Sequence, residues 1–269
     1  MNALPEADDP LPGGLCHPGA VRRDGEAVER PAPPHALALH AHLRALRVRS
    51  FDAAPVPLGP PAAGRERLSY LPGEVAVPPY PAWSHAPGAL ASVARLLRRY
   101  HDAAAAVPPD PSVPWPADLA DPEGGPVLCH NDLCLENVVF RGGEAAGLID
   151  FDLAAPGRPL WDLAMAARYW VPVLDPESAA VTSRDHLDVP ARLRLFADAY
   201  GLPAGDRALL PSVIEAATAR TRAFVTAQVA AGSPAFTEAI AAHGGWARWD
   251  RLQRWQAAHR SDLRAALVR

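Results

Sequence analysis

The sequence predicts an α+β chain of two lobes, a small β-rich N-terminal lobe over residues 1–75 and a larger, mostly helical C-terminal lobe over residues 76–269. Three observations carry this. Short apolar pieces punctuated by glycine fill the stretch from Leu11 to Glu29. A proline-rich hinge around residues 70–82 interrupts all periodicity. Beyond Gly88, apolar residues recur at the three- and four-residue spacing of buried helix faces.

In chain order, residues 1–11 read as a flexible lead. A β-hairpin follows, turning at Arg23-Asp24-Gly25-Glu26. After Pro33-Pro34 a helix carries Leu37, His40, Leu43 and Leu46 on one face. Pro55 to Pro61 breaks that pattern, Arg67 to Leu71 forms a short strand, and Pro72-Gly73 ends it. The next helix buries Leu90, Val93, Leu96, Leu97 and Tyr100. Short strands are expected at Val127–Cys129, Val138–Phe140 and Gly147–Ile149. The remainder reads as helices near residues 160–170, 190–200, 206–231 and 236–267.

A chain of 269 residues that is 49% hydrophobic buries one large core or two modest ones. With 21% charged residues and a net charge of −4, it is neither broadly disordered nor a general nucleic-acid binder. No apolar run reaches the length of a membrane span, and the opening MNALPEADDP lacks the apolar region of a signal peptide. A cytoplasmic protein with no membrane partner is therefore expected. Cys16, Cys129 and Cys134 make an odd, sparse set, unlike a disulfide framework or a cysteine zinc site. All 26 basic residues are arginine; lysine is absent.

The segment from Cys129 to Asp152 carries the chemistry. Asn137 stands five residues after Asp132, and Asp150 thirteen residues after that, each at the edge of a short apolar strand. A tight hairpin would bring the three together. A lone loop aspartate is ordinarily a turn or cap residue, but this joint spacing is what metal-assisted phosphoryl transfer requires. A carboxylate orients the acceptor hydroxyl and takes its proton, while an aspartate and an asparagine amide oxygen supply hard ligands for Mg²⁺. Cys129 and Cys134, flanking this loop, read as small apolar packing. Gly13-Gly14 is short enough to lie over phosphates or to make an ordinary turn.

His130-Asn131-Asp132 through Asn137, Ile149-Asp150-Phe151-Asp152 and Asp162-Leu163-Ala164 together resemble the motifs of the phosphotransferase family that includes the aminoglycoside phosphotransferases. Tyr70-Leu71-Pro72-Gly73-Glu74 resembles that family's hinge and Leu96–His101 its first large helix; the likeness runs over roughly residues 12–255. It implies a bilobal protein-kinase-like fold, Mg²⁺, and ATP or GTP as phosphoryl donor. By the same resemblance Asp132 is the catalytic base, with His130 bracing its loop. Asn137 and Asp150 are the metal ligands, and Asp162 is a structural support. Gly13, Gly14, Tyr70 and Leu71 fall on the nucleotide side, and Asp152 receives no role.

Kinase-like enzymes hold the donor phosphates with a strand lysine paired to a helix glutamate. Here Arg30 is the substitute for the missing lysine, and His40 stands where the helix partner is expected. The likeness implies a small-molecule hydroxyl acceptor: an aminoglycoside-like antibiotic, a sugar or a natural-product intermediate. Asp175, Glu177, Glu215, Glu238 and Asp250 are candidates to hold its amines, and Tyr169, Trp170, Trp246 and Trp249 to line its pocket. The missing lysine leaves a second reading open, a non-catalytic binding protein of kinase-like fold with impaired nucleotide use.

Overall fold

A four-stranded antiparallel sheet in the order β1-β2-β3-β4 occupies the N-terminal part of the chain. The structure, a computed structural model, describes residues 9–11 and 19–268. β1 (Asp9–Pro10) pairs with β2 (Arg22–Asp24), and β2 turns into β3 (Ala27–Pro31) through Gly25-Glu26. Gly25 has φ +59°, a left-handed conformation open to glycine without strain. The turn lies one residue later than the sequence suggested, because Asp24 still pairs with Ala27. α1 (Ala36–Val48) leads to β4 (Arg65–Ser69), which returns along β3 with Arg30 directly opposite Glu66.

Two local expectations shift here. Leu37 is 70% exposed, and α1 instead buries Ala36, Leu39, His40, His42, Leu43 and Leu46. The apolar stripe thus runs through Ala36 and Leu39, three and four residues apart from the next turns. β4 begins two residues before the expected strand, and its alternation points Glu66 and Leu68 inward while Arg67 faces solvent.

α2 (Pro87–Ala105) buries Leu90, Val93, Leu96, Leu97 and Tyr100, as its periodicity predicts. The Tyr100 hydroxyl donates to the carbonyl of Leu128 in β5 (Val127–Cys129) at 2.5 Å. β6 (Val138–Arg141) and β7 (Glu144–Leu148) form a hairpin turned by Gly142 and Gly143. β8 (Ala155–Gly157) then pairs back onto β5. The rest is helical: α3 (Pro159–Trp170), α4 (Pro176–Val181), α5 (Val189–Tyr200), α6 (Ala204–Ala230), α7 (Pro234–Ala242) and α8 (Gly245–Val268). The single long helix expected over 236–267 is two, because Gly244 and Gly245 sit at φ +89° and +65° and end its helical path. α4 was not foreseen; its six residues are too few to show a period, though Asp175 caps it by accepting from the Ser178 N–H.

The chain is 51% helical with its small sheets toward the N-terminus, so the α+β class and the kinase-like arrangement hold. One main core runs through α2, α3, α5 and the β5–β8 strands, with Trp161, Trp170, Phe151 and Phe196 fully buried in it. Each such side chain contributes about 1.5–3 kcal/mol or more by leaving water. The segment after β4 is tied to this core by reciprocal backbone bonds between Glu74 and Phe140, at 2.9 and 2.7 Å. A Cβ on Gly73 would run into the Phe140 carbonyl and the Val139 side chain, so only glycine allows that approach.

His42 supplies a test of this packing. Burial alone pushes its imidazole down from 6.5 to about 4, and its Nε2 has no partner. The folded state therefore keeps His42 neutral while the unfolded chain takes up a proton first. This contribution is complete above pH 6.5 and is lost as pH falls toward 4, at about 1.4 kcal/mol per pH unit. Denaturant unfolding across that range should show His42→Leu losing this share of the slope; an unchanged slope would contradict it.

Candidate active site

The loop after β5 is held from behind by one carboxylate. Asp162, in the first turn of α3, accepts the backbone N–H of His130 at Oδ2 and that of Asn131 at Oδ1, both at 2.8 Å. His101 of α2 reaches the same Oδ2 at 3.0 Å and meets the Tyr200 hydroxyl at 2.7 Å through its other nitrogen. Burial works against ionisation of Asp162, but the hydrogen bonds from His101 and the His130 backbone hold its carboxyl below the usual range. Asn131 is left-handed at φ +64°, a conformation asparagine tolerates, and its Nδ2 donates to the Leu153 carbonyl at 3.0 Å.

His130 is fully buried, and its Nε2–H donates to the Ile149 carbonyl at 2.9 Å. Its Nδ1 then accepts from the Asp132 N–H at 3.4 Å. That pattern fits the neutral ring, which burial favours. His130 does not line the cavity described below, so it positions the loop and is not placed to touch a substrate.

The β6–β7 hairpin brings the other predicted residues to the same end. Ile149 N–H donates to the Asn137 carbonyl at 3.0 Å, which sets Asp150 beside Asn137. Asn137 turns its Nδ2 toward the Asp132 backbone carbonyl, 2.8 Å, and toward Oδ2 of Asp132, 3.4 Å. The Tyr169 hydroxyl donates to Oδ1 of Asp132 at 3.3 Å. Burial, reinforced by Asp150, raises the Asp132 carboxyl to about 7, against the opposing pull of Tyr169 and Arg168. Asp150 itself is left-handed at φ +65°. Strained aspartate and asparagine backbones of this kind concentrate at functional loops.

Arg30 reaches the same place from β3. Its Nε donates to Glu66 at 2.7 Å, Nη1 to Asp150 at 2.7 Å and Nη2 to Asp152 at 2.5 Å. These carboxylates outweigh the effect of burial and raise the arginine's pKa. His40 does not touch Arg30; its Nε2 meets the other oxygen of Glu66 at 2.6 Å. The acidic partner thus comes from β4, directly across the sheet, rather than from α1. The alternating Arg65-Glu66-Arg67-Leu68 was the available signal, hidden by placing the strand two residues late. Asp152, given no role by the sequence, is the third partner, and its carboxyl is raised to about 7 by burial, with Arg30 opposing.

One cavity of about 1330 Å³ holds Arg30, Asp132, Asn137 and Asp150 together, with Tyr70 and Leu71 on its wall. Gly13 and Gly14 lie outside the described residues. Among the described residues no three His, Cys, Asp or Glu side chains converge as a ready metal cage. Mg²⁺ needs no such cage, since one or two protein oxygens with phosphates and water complete its shell. The Asn137 Oδ1 and the Asp150 carboxylate, which is 39% exposed, are the donors of suitable chemistry. Cys129, buried, and Cys134, half-buried, have thiols raised well above the ordinary value, chiefly by desolvation, which does not suit a nucleophile.

The expected acidic acceptor residues are elsewhere. Asp175 and Glu177 face Arg251, Glu215 pairs with Arg260 and Asp250 with Arg222, and Glu238 is exposed on α7. None of the five lines the cavity. Among the aromatics, Tyr169 and Trp249 do line it, whereas Trp170 is buried with its Nε1–H on the Leu133 carbonyl.

A sequence model described as the phosphotransferase enzyme family matches residues 22–196, which include Arg30, Asp132, Asn137, Asp150 and Asp162. The chain belongs to the phosphotransferase enzyme family. The chain is 33% identical over 266 residues to the trifolitoxin immunity protein of Rhizobium leguminosarum bv. trifolii, covering 92% of this chain and 95% of that protein. A shorter match, 33% identical over 110 residues, covers 39% of this chain and 29% of the homoserine kinase of Rhodopseudomonas palustris. A solved choline/ethanolamine kinase family protein from Mesorhizobium loti shares the fold, with a TM-score of 0.63 at 19% identity over 98% of this chain and 92% of that one.

For this phosphotransferase-family chain the buried Asp162 is the most exposed to test. In Asp162→Asn one amide oxygen replaces two carboxylate oxygens, leaving a buried N–H or His101 without its acceptor. The expected loss of stability is about 3 kcal/mol, read by denaturant unfolding; a loss within error of zero would show that the loop does not depend on it.

Proposed function

We propose that this protein is a Mg²⁺-dependent phosphotransferase that moves the γ-phosphate of a nucleoside triphosphate to a hydroxyl of a small molecule. The observation that carries the reading is the convergence of Asp132, Asn137, Asp150 and Arg30 in one cavity. Asp132 accepts the proton of the acceptor hydroxyl while that oxygen bonds to the γ-phosphorus. The bond to the β,γ-bridging oxygen breaks, and a nucleoside diphosphate leaves. Tyr169 and Asn137 hold the Asp132 carboxylate in place for this. Asn137 and Asp150 would hold the metal, which supplies charge neutralisation on the phosphates. Arg30, in the place of the strand lysine, would bind the donor phosphates, to which a guanidinium is well matched. The solvent-facing wall with Tyr70 and Leu71 would receive the base of ATP or GTP. Likeness to a trifolitoxin immunity protein favours an antibiotic or another natural product as the acceptor, acted on in the cytoplasm.

A second reading keeps one specific observation. Arg30 is already engaged by three carboxylates, and a guanidinium locked this way would leave a kinase-like binding protein that uses nucleotide poorly. Calorimetry separates the two: Arg30→Ala should weaken nucleotide binding at least about tenfold, and unchanged affinity would remove Arg30 from the site. Asp132→Asn should lower turnover by about a hundredfold or more while sparing nucleotide affinity. Full activity in that variant would defeat the assignment. Chelation of divalent cations should abolish nucleotide consumption, and Mg²⁺ should restore it.

A further inference from the structure

Beyond Asp132 the cavity wall is basic. Arg168, Arg184 and Arg248 all line it. Among the described residues no carboxylate lies within ion-pairing distance of any of the three, whereas the arginines behind the wall, Arg222, Arg251 and Arg260, each have one. Arg184 is 8% exposed; it donates to the Tyr169 carbonyl at 3.2 Å and to Thr182 at 3.1 Å, with its guanidinium 5.3 Å from the Tyr80 ring. The Nε of Arg248 is buried with no partner at all. Burial accordingly lowers the pKa of both, aided in Arg184 by Arg248 and in Arg248 by Arg251 and Arg168. The cluster adjoins the reaction centre, since Tyr169 bonds both Asp132 and Arg184. Three carboxylates act on the cluster from beyond ion-pairing distance: Asp132 on Arg168, Asp175 on Arg248, and Glu136 on Arg184, the last accepting from the Tyr80 hydroxyl at 2.9 Å. Farther along, Phe224, Phe236, Ile240 and Trp249 make the wall apolar.

Three guanidiniums, Arg184 buried and Arg168 and Arg248 half-buried, with no carboxylate in ion-pairing distance among the described residues, disfavour a cationic ligand and leave fork-shaped donors for an oxyanion. We infer that the acceptor is an anion: besides its hydroxyl and an apolar portion, it carries a carboxylate or phosphate group that Arg168, Arg184 and Arg248 hold. The hydroxyl rests on the phosphotransferase reading; the charge preference does not.

Equilibrium binding to the full chain, without nucleotide, tests the inference with compounds of one body and different charge. These are para-(hydroxymethyl)benzoate, para-(hydroxymethyl)phenyl phosphate, para-(hydroxymethyl)benzylamine and benzyl alcohol. The two anions should bind at least about tenfold more tightly than the alcohol or the amine, and the tighter anion identifies the group. Arg184→Gln and Arg248→Gln should each reduce that advantage. Arg248→Gln is the safer variant, because no hydrogen bond of the fold depends on its guanidinium. Equal or tighter binding of the amine, retention of the anion preference in both variants, or binding of none of the four at millimolar concentration would overturn the inference. Anion binding without nucleotide consumption in the presence of ATP and Mg²⁺ would support it while counting against the transferase. Phosphorylation of the amine but not of the anions would do the reverse.

Discussion

The guanidinium of Arg30 is shared among Glu66, Asp150 and Asp152, and through it β3 and β4 are joined to the segment that follows β7. Among the described residues one guanidinium bridges three carboxylates, and His40 meets the far oxygen of Glu66. Removing one member of such a buried set costs about 3–5 kcal/mol, because the remaining charges lose compensation in a poorly solvated place. Burial, with Asp150 and Glu66 nearby, raises the Asp152 carboxyl to about 7 despite its contact with Arg30. A pocket with excess carboxylate oxygen is a place where added positive charge stabilises the whole arrangement.

The opposite side of the site rests on geometry rather than on surplus charge. Asp162, His101 and Tyr200 form a satisfied chain in which every polar group has a partner, and it fixes two consecutive backbone N–H groups. Asp132 projects from that anchored loop. One face of the site is therefore dense in carboxylates and the other rigid, which suits the proposed transfer of a charged phosphoryl group beside a fixed Asp132.

The convergence of Asp132, Asn137 and Asp150 was legible because they stand at fixed short spacings that a tight hairpin closes. Asp132, Asn137 and Asp150 fall where the alternation and the glycine turn imply. Glu66 was missed because a two-residue error in a strand changes which residues lie opposite Arg30, and pattern alone does not fix register in a five-residue strand. The acidic acceptor candidates failed for another reason. Asp175 is buried as the cap of α4, and the other four are carboxylates that found an arginine nearby or stayed in solvent; no local pattern distinguishes such residues from ones that face a cavity. The break between α7 and α8 was written in the sequence as Gly244-Gly245, but the apolar periodicity on both sides concealed it.

With Arg30 in the proposed place of a strand lysine, the ways this protein can be modified also change. A guanidinium keeps its proton under all cellular conditions and is a poor nucleophile, unlike an ε-amine. The chain contains no lysine anywhere. Lysine acetylation, which silences a phosphate-binding amine by removing its charge, therefore has no foothold in this site. For the same reason, nucleotide analogues armed with acylating groups, which tag kinase-like proteins through their active-site lysine, would pass over this one however well it bound them.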